Sequence, residues 1–273
     1  VGSEMCIRDR LNNVINFLKQ EELSMSDNQL IGLAEDFFQN SLDSSPTSAI
    51  MRGHKKYFDQ IEELTEDQFQ KEKETVDNFI QRLNAIEKDN LTSREQVTHG
   101  MLEFALSSNQ DSLLDRSWEF GAGVSGFTGF LIDYNQQMFV PDSESADMML
   151  KRLELYKRLY TQIAEVQKEG LNNNRVATER NLLRTIDQLE NYLASSLDQD
   201  PLLLVNFSPE IPGSEISEWK DKAKNIIEAN IRPTVSAYLD QLKTEHLPKG
   251  RGDDKCGIMW IDGGEESYLR SLR

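Results

Sequence analysis

Basic residues, cysteine, histidine and long apolar runs are all scarce in this chain of 273 residues. Lys and Arg number 30 against 47 Asp and Glu, a formal net charge of −17. Phosphate contacts need clustered Lys and Arg, so the deficit argues against a broad nucleic-acid face and against anionic membrane surfaces. Two cysteines, Cys6 and Cys256, make neither a disulfide framework nor a thiolate metal site. The three histidines, His54, His99 and His246, are dispersed. None has a second ligand at clear spacing on one helix face, whereas zinc needs three or four converging ligands. No stretch approaches the ~18 apolar residues of a membrane span. The densest apolar runs are Pro201–Val205 and Ile258–Ile261. The first residues lack the apolar core of a signal peptide. No Gly-x-Ser-x-Gly elbow occurs, and in so acidic a chain carboxylate pairs are mostly solvated helix faces. The residues therefore nominate no catalytic, cofactor-binding or metal residue.

What is present is helical periodicity, and it predicts an all-α fold. Ser26 with Gln29, Thr65 with Gln68 and Thr92 with Glu95 have capping-box spacing. Each precedes an apolar-periodic run. The first run carries Leu30, Leu33, Phe37 and Phe38 and ends at Ser44-Ser45-Pro46. The second carries Phe69, Val76, Phe79, Ile80, Leu83 and Ile86; the third carries Val97, Met101, Leu102, Ala105 and Leu106. The second half is more regular. Met149, Leu153, Tyr156, Tyr160 and Ile163 form one stripe, and Leu182, Ile186, Leu189, Leu193 and Leu197 another. A third runs from Trp219 through Ala223, Ile226, Ile227, Ile231 and Tyr238 to Leu242. Such stripes mean packing. Pro233 lies inside the third and is expected to kink or split that helix. Long antiparallel helices are expected between Thr65 and Leu247, with at most a short β element near 256–262.

Three motif matches carry little. Gly121-Ala122-Gly123-Val124-Ser125-Gly126 spells the dinucleotide fingerprint. That fingerprint needs a preceding strand and a helix N-terminus for the pyrophosphate. Ser108–Phe120 is polar and charged, so a loop or a close helix approach is the better reading. Arg251-Gly252-Asp253 spells an adhesion tripeptide, and chance accounts for it. Asn90-Leu91-Thr92 and Asn206-Phe207-Ser208 are glycosylation sequons with meaning only on a eukaryotic secretory route.

The ends look unnatural. Val1–Arg10 is similar to a translated adapter scar and is set aside as disordered. Residues 11–273 are then expected to form a single helical domain. The final stretch through Tyr268, Leu269 and Leu272 is apolar-periodic without a stop signal, as in a helix cut in mid-turn.

From about Leu33 to Arg273 the order of features resembles the bacterial family known as domain of unknown function 885. Phe37-Phe38, then Pro46 to Ala49, then Gly53-His54 resemble its opening. Leu150-Lys151-Arg152-Leu153 and Glu169-Gly170 resemble its middle. The most specific run is Ile231-Arg232-Pro233, Tyr238-Leu239, Leu247-Pro248, Arg251, Gly257-Ile258, Gly263-Gly264-Glu265-Glu266 and Tyr268. Departures are Asp262 in place of Pro, Ser267 in place of Tyr and Cys256 in place of Pro or Val. The resemblance implies an all-helical, zinc-peptidase-like architecture in which two helical halves enclose a channel. The family's metal motif, His-Glu-x-x-Pro-Gly-His-His, lies C-terminal to the Gly-Gly-Glu segment and does not occur in this sequence. The implied function is the non-catalytic N-terminal portion of a metal-dependent, peptidase-like hydrolase, inactive alone. Its partners would be the missing C-terminal half and, in the full-length parent, a peptide substrate; zinc would belong to the parent. Family members are often exported to the cell envelope. The alternative is a helical binding or scaffold module. The acidic charge would favour cationic over anionic substrates.

Overall fold

A computed structural model of the chain describes residues 29–121 and 135–272. Val1–Arg10, Cys6, Ser26 and positions 122–126 of the glycine-rich motif lie outside the described residues. The helices are α1 Gln29–Ser44, α2 Pro46–Met51, α3 Glu66–Asn84 and α4 Ser93–Asp115, then α5 Ser143–Asn172 and α6 Glu179–Ala194. They are followed by α7 Gly213–Ile226, α8 Arg232–Gln241 and α9 Gly264–Ser271. Short strands β1 Phe139–Val140 and β2 Asn206–Phe207 pair in parallel. The all-α expectation holds. The allowance of at most a short β element near 256–262 is filled by a turn: Ile258–Trp260 is one turn of 3-10 helix. Three residues ahead of a tight glycine turn close a local i→i+3 bond instead of finding a strand partner, and the described strands lie elsewhere.

One of the capping boxes closes fully and a second acts as a simple cap, its Gln68 side chain donating to Glu72 at 3.2 Å instead. Thr65 Oγ1 accepts from the Gln68 amide at 3.2 Å. Thr92 and Glu95 are reciprocal: the Thr92 amide donates to Glu95 Oε2 at 2.8 Å, and Glu95 N to Thr92 Oγ1 at 3.4 Å. Two caps were not anticipated. Asp142 accepts from Ser145 N at 2.9 Å to open α5, and Thr178 accepts from Asn181 N at 3.3 Å to open α6. Each satisfies amides that the first turn leaves without a partner.

The chain forms two compact units. Among the described residues, one comprises 29–41 and 74–110, the other 42–73, 111–121 and 135–272. In the first, Leu30, Leu33, Val76, Phe79, Leu83, Leu102 and Leu106 are buried. Phe37 meets Phe79 edge-on at 5.7 Å. Val97 and Met101, read in the same stripe as Leu102 and Leu106, are instead 62% and 69% exposed. Helix α4 has apolar residues on two faces, and periodicity does not say which one finds a neighbour.

The second unit holds the main core. The 149–163 stripe of α5 is buried throughout, and so is the stripe from Trp219 to Leu242 apart from half-buried Ile226. Each such fully buried side chain contributes roughly 1.5–3 kcal/mol. From Gly213 to Lys249 the chain is one continuous helical run, with π turns at Ile227–Ile231 and Leu242–His246. Pro233 neither breaks nor ends it. Each π turn finishes two residues before a proline, Pro233 or Pro248. Widening the ladder there re-routes the bonds that a residue without an N–H cannot make. This run is parallel to α5. Trp219 bonds Ala146 at 2.8 Å near the start of both, and Tyr238 and Gln241 bond Gln167 and Ala164 at 2.6 and 2.8 Å some twenty residues further along both. It is antiparallel to α6, where Arg232 bonds Ser195 O at 3.0 Å and Lys243 pairs with Glu190 at 2.5 Å. The parallel β1–β2 pair fits this geometry, because β1 leads into α5 and β2 into α7.

Candidate functional site

The residues weighed in the sequence fall apart in space. His99 is buried in the first unit; His54 and His246 belong to the second, where His246 is buried too. Neither buried ring finds a hydrogen-bond partner for Nε2. Among the described residues, no three or more His, Cys, Asp or Glu side chains are grouped so as to hold a metal ion. The zinc implied by the family resemblance therefore has no fitting site among the described residues. Cys256 is a free, exposed thiol. Arg251 is a structural staple. Its guanidinium donates to the carbonyls of Val176, Lys255 and Gly257 at 2.8, 2.7 and 2.6 Å, so it is not presented as an adhesion ligand.

The Gly263-Gly264 pair now has a physical reason. Gly263 has φ +70°, and a Cβ on Gly264 would lie 1.8 Å from the Ile258 carbonyl oxygen. The left-handed φ favours glycine at 263, and the close approach excludes any side chain at 264. The turn starts α9 and is fixed from outside: Arg175 reaches the Asp262 carbonyl, and Asn174 donates to Asp262 Oδ1 at 3.0 Å. Arg270 reaches back to Asp115 Oδ1 at 2.6 Å.

Charge is also buried within the second unit. Arg152 is 0% exposed; it donates to the Gln60 carbonyl and to Thr47 Oγ1, whose own hydroxyl donates to Glu62 at 2.7 Å. Glu119, 3% exposed, lies 2.6 Å from both Arg116 Nε and Arg175 Nε. Asp200 is paired by Arg232 at 3.0 Å. Burial raises the phenols of Tyr156, Tyr160, Tyr192 and Tyr238 well clear of neutral pH, so they are un-ionised. Arg152, Glu119 and Asp200 are partnered within the fold and tie the helices together.

Two clefts open on the second unit. One, of about 350 Å³, is lined by Asp43, Asp59, Glu62, Glu63 and Glu72 with Arg158 and Gln60. Its carboxylates are largely engaged: Asp43 accepts from Tyr57 Oη at 2.6 Å, Glu62 binds Thr47, and Glu63 stands 3.9 Å from Arg158. Burial pushes the Glu72 carboxyl up, against the lowering effect of the Gln68 amide. The other cleft, of about 230 Å³, lies between α5, α7 and the β2 segment. Leu150, Phe207, Ile211, Ile216 and Trp219 give it an apolar floor, with Ser143, Asp147, Glu215, Glu218 and Lys222 also lining it. The sequence reading assigned Trp219 to core alone. The missed signal is that Glu215, Trp219 and Lys222 follow at steps of four and three, on one face of α7.

The fold has solved counterparts. One is the crystal structure described as "the putative lipoprotein from Colwellia psychrerythraea", with a TM-score of 0.72 and 14% identity. The match covers 90% of this chain and 46% of that one, so this chain spans less than half the length of that protein. At such identity the likeness establishes shared architecture only. No curated protein matches the chain. The model of one family matches residues 46–273, the stretch that includes α2, the α5 core and the Gly263-Gly264 turn; the chain belongs to that family, "Bacterial protein of unknown function (DUF885)".

Proposed function

We propose that this chain is the helical, non-catalytic portion of a larger metal-dependent, peptidase-like hydrolase, and that further polypeptide of the same protein packs on its C-terminal segment. The observation that carries this reading is an exposed apolar surface. Met259, Trp260, Tyr268, Leu269 and Leu272 are 64%, 49%, 53%, 57% and 65% exposed within fifteen residues of each other. Large apolar side chains gathered in water mark an interaction face. The Gly263-Gly264 turn and the Arg175 and Arg270 bonds hold this segment in a fixed conformation. The greater length of the Colwellia protein gives the reading further support. The Trp219–Leu242 stripe adds nothing to the surface, because its own unit already buries it.

The test compares this chain with a version extended by the downstream codons of its gene. Expected for the chain alone are no peptide hydrolysis and concentration-dependent association in sedimentation. Expected for the extended protein are monomers, bound zinc and hydrolysis. An extended protein without zinc or hydrolysis overturns the proposal in favour of a helical binding module. The second cleft is the observation that favours that alternative.

A further inference from the structure

We propose that the cleft floored by Trp219 binds a small organic cation: an aromatic or branched aliphatic body carrying one protonated amine. The floor is built in advance. The Trp219 indole N–H is committed to the Ala146 carbonyl at 2.8 Å, and its ring meets Phe207 edge-on at 5.1 Å. Phe207 is itself held by β2, whose pairing with β1 fixes the strand next to α5. The platform is therefore fixed and has no free donor: Trp219, 4% exposed, closes its base, and half-buried Phe207 supplies the aromatic surface, so little ordering is left for a ligand to bring about. A space of about 230 Å³ is smaller than the usual drug-sized site, so the ligand is a single ring or branched chain with a short arm.

The polar residues select the arm. Asp147, Glu215 and Glu218 line the cleft with one cation, Lys222. Lys222 is already held by Glu218 at 2.7 Å, which raises the ammonium and lowers the carboxyl. Asp147 and Glu215 remain in excess, and Ser143 Oγ donates to Glu215 Oε2 at 2.6 Å, orienting that carboxylate. An anion meets repulsion here. A neutral ligand gains the floor alone. An ammonium gains the carboxylates, while the body that carries it gains the half-buried Leu150, Phe207 and Ile216. Acidic residues are ordinary on this surface; their placement around a preformed aromatic floor is what distinguishes this cleft from the larger acidic one.

The test uses the chain as it is, with phenethylamine as probe and 2-phenylethanol and 3-phenylpropionate as neutral and anionic counterparts. The readout is the Trp219 indole resonance in ¹⁵N-correlated NMR, assigned by its loss in Trp219→Phe. Expected are saturable shifts with phenethylamine, Kd at or below about 1 mM, at least about fivefold weaker binding of the alcohol, and none of the carboxylate. Asp147→Asn with Glu215→Gln should bring the amine down to the affinity of the alcohol and leave the alcohol unchanged. Both residues are exposed, so the double variant is expected to fold. Equal binding of amine and alcohol overturns the proposal. So do shifts confined to residues away from Trp219, or an amine affinity that the double variant leaves intact. No step of this test depends on hydrolysis or on the downstream polypeptide, so failure of the hydrolase reading would leave its outcome unchanged.

Discussion

A methyl group on Gly170 would lie 2.4 Å from the carbonyl oxygen of Glu119 and 2.7 Å from its Cβ. The last turn of α5 thus rests directly on the backbone that carries the buried carboxylate. Helix propensity alone would make Gly→Ala stabilising in α5. The contact reverses the sign. Gly170→Ala is expected to cost about 1–3 kcal/mol by overpacking. Gly100, in α4, has no atom within 4 Å of where its Cβ would stand. Gly100→Ala is therefore expected to stabilise by about 0.5–1 kcal/mol. Urea midpoints of the two variants should move in opposite directions; a shared direction refutes the close-packing argument.

The next prediction concerns the Glu119 cluster. Its carboxylate is flanked by Arg116 and Arg175, each 2.6 Å away. Deleting one member of a buried ionic group leaves uncompensated charge, which typically costs about 3–5 kcal/mol. Glu119→Ala should therefore lower stability far more than Asp253→Ala, since the Arg180–Asp253 pair lies in solvent with side chains 62% and 66% exposed. Comparable losses in thermal unfolding would mean that burial does not set the cost.

These two cases mark what was legible in the sequence. Helix starts are local, and Thr65 with Gln68 and Thr92 with Glu95 announced themselves by spacing. The α5 core was equally plain. Arg152 was legible in part: it falls three residues after Met149 and four before Tyr156, on the apolar face, which is how a buried charge declares itself. Arg116 is a local partner of Glu119 three residues before it, but Gly170 and Arg175 were not legible, because they meet Glu119 through tertiary packing with no periodic trace. The parallel course of α5 and the Gly213–Lys249 run was hidden for the same reason. The Trp219 cleft depends on where Phe207 lands, and two residues of strand give no pattern to see.

Two carboxyls should titrate with opposite effects on stability. Asp142 is held down to about 2 by Lys55 and the Ser145 bonds. Its stabilising contribution is present above its unfolded value near 3.8 and is lost as pH falls toward about 2. Glu72 is raised by burial above its unfolded value of 4.5. Its favourable contribution is complete below 4.5 and is lost as pH rises through the folded value. Glu72→Gln, which mimics the protonated form, should then raise the unfolding midpoint at pH 7 and lose that advantage near pH 3. An advantage independent of pH would show that desolvation of the charge is not its cause.

Arg251 and Arg175 together fasten the C-terminal segment, and the last prediction separates fastening from folding. Arg251 spans three carbonyls with a planar fork, and its backbone also pairs across, N to Ala177 O at 3.1 Å and O from Glu179 N at 2.8 Å. Lysine carries the charge but has a single ammonium that cannot reach Val176, Lys255 and Gly257 at once. Arg251→Lys keeps the backbone bridge and the α5 core, so global unfolding should shift little. The turn from Asp253 to Ile261 loses its internal support, and local opening there should become easier. Hydrogen exchange is expected to quicken in residues 253–271 while α5 and α8 keep their protection. Quickening spread over the whole unit would make Arg251 a determinant of the core; unchanged exchange would mean that the Gly263-Gly264 turn, Arg175 and Arg270 hold the segment without it.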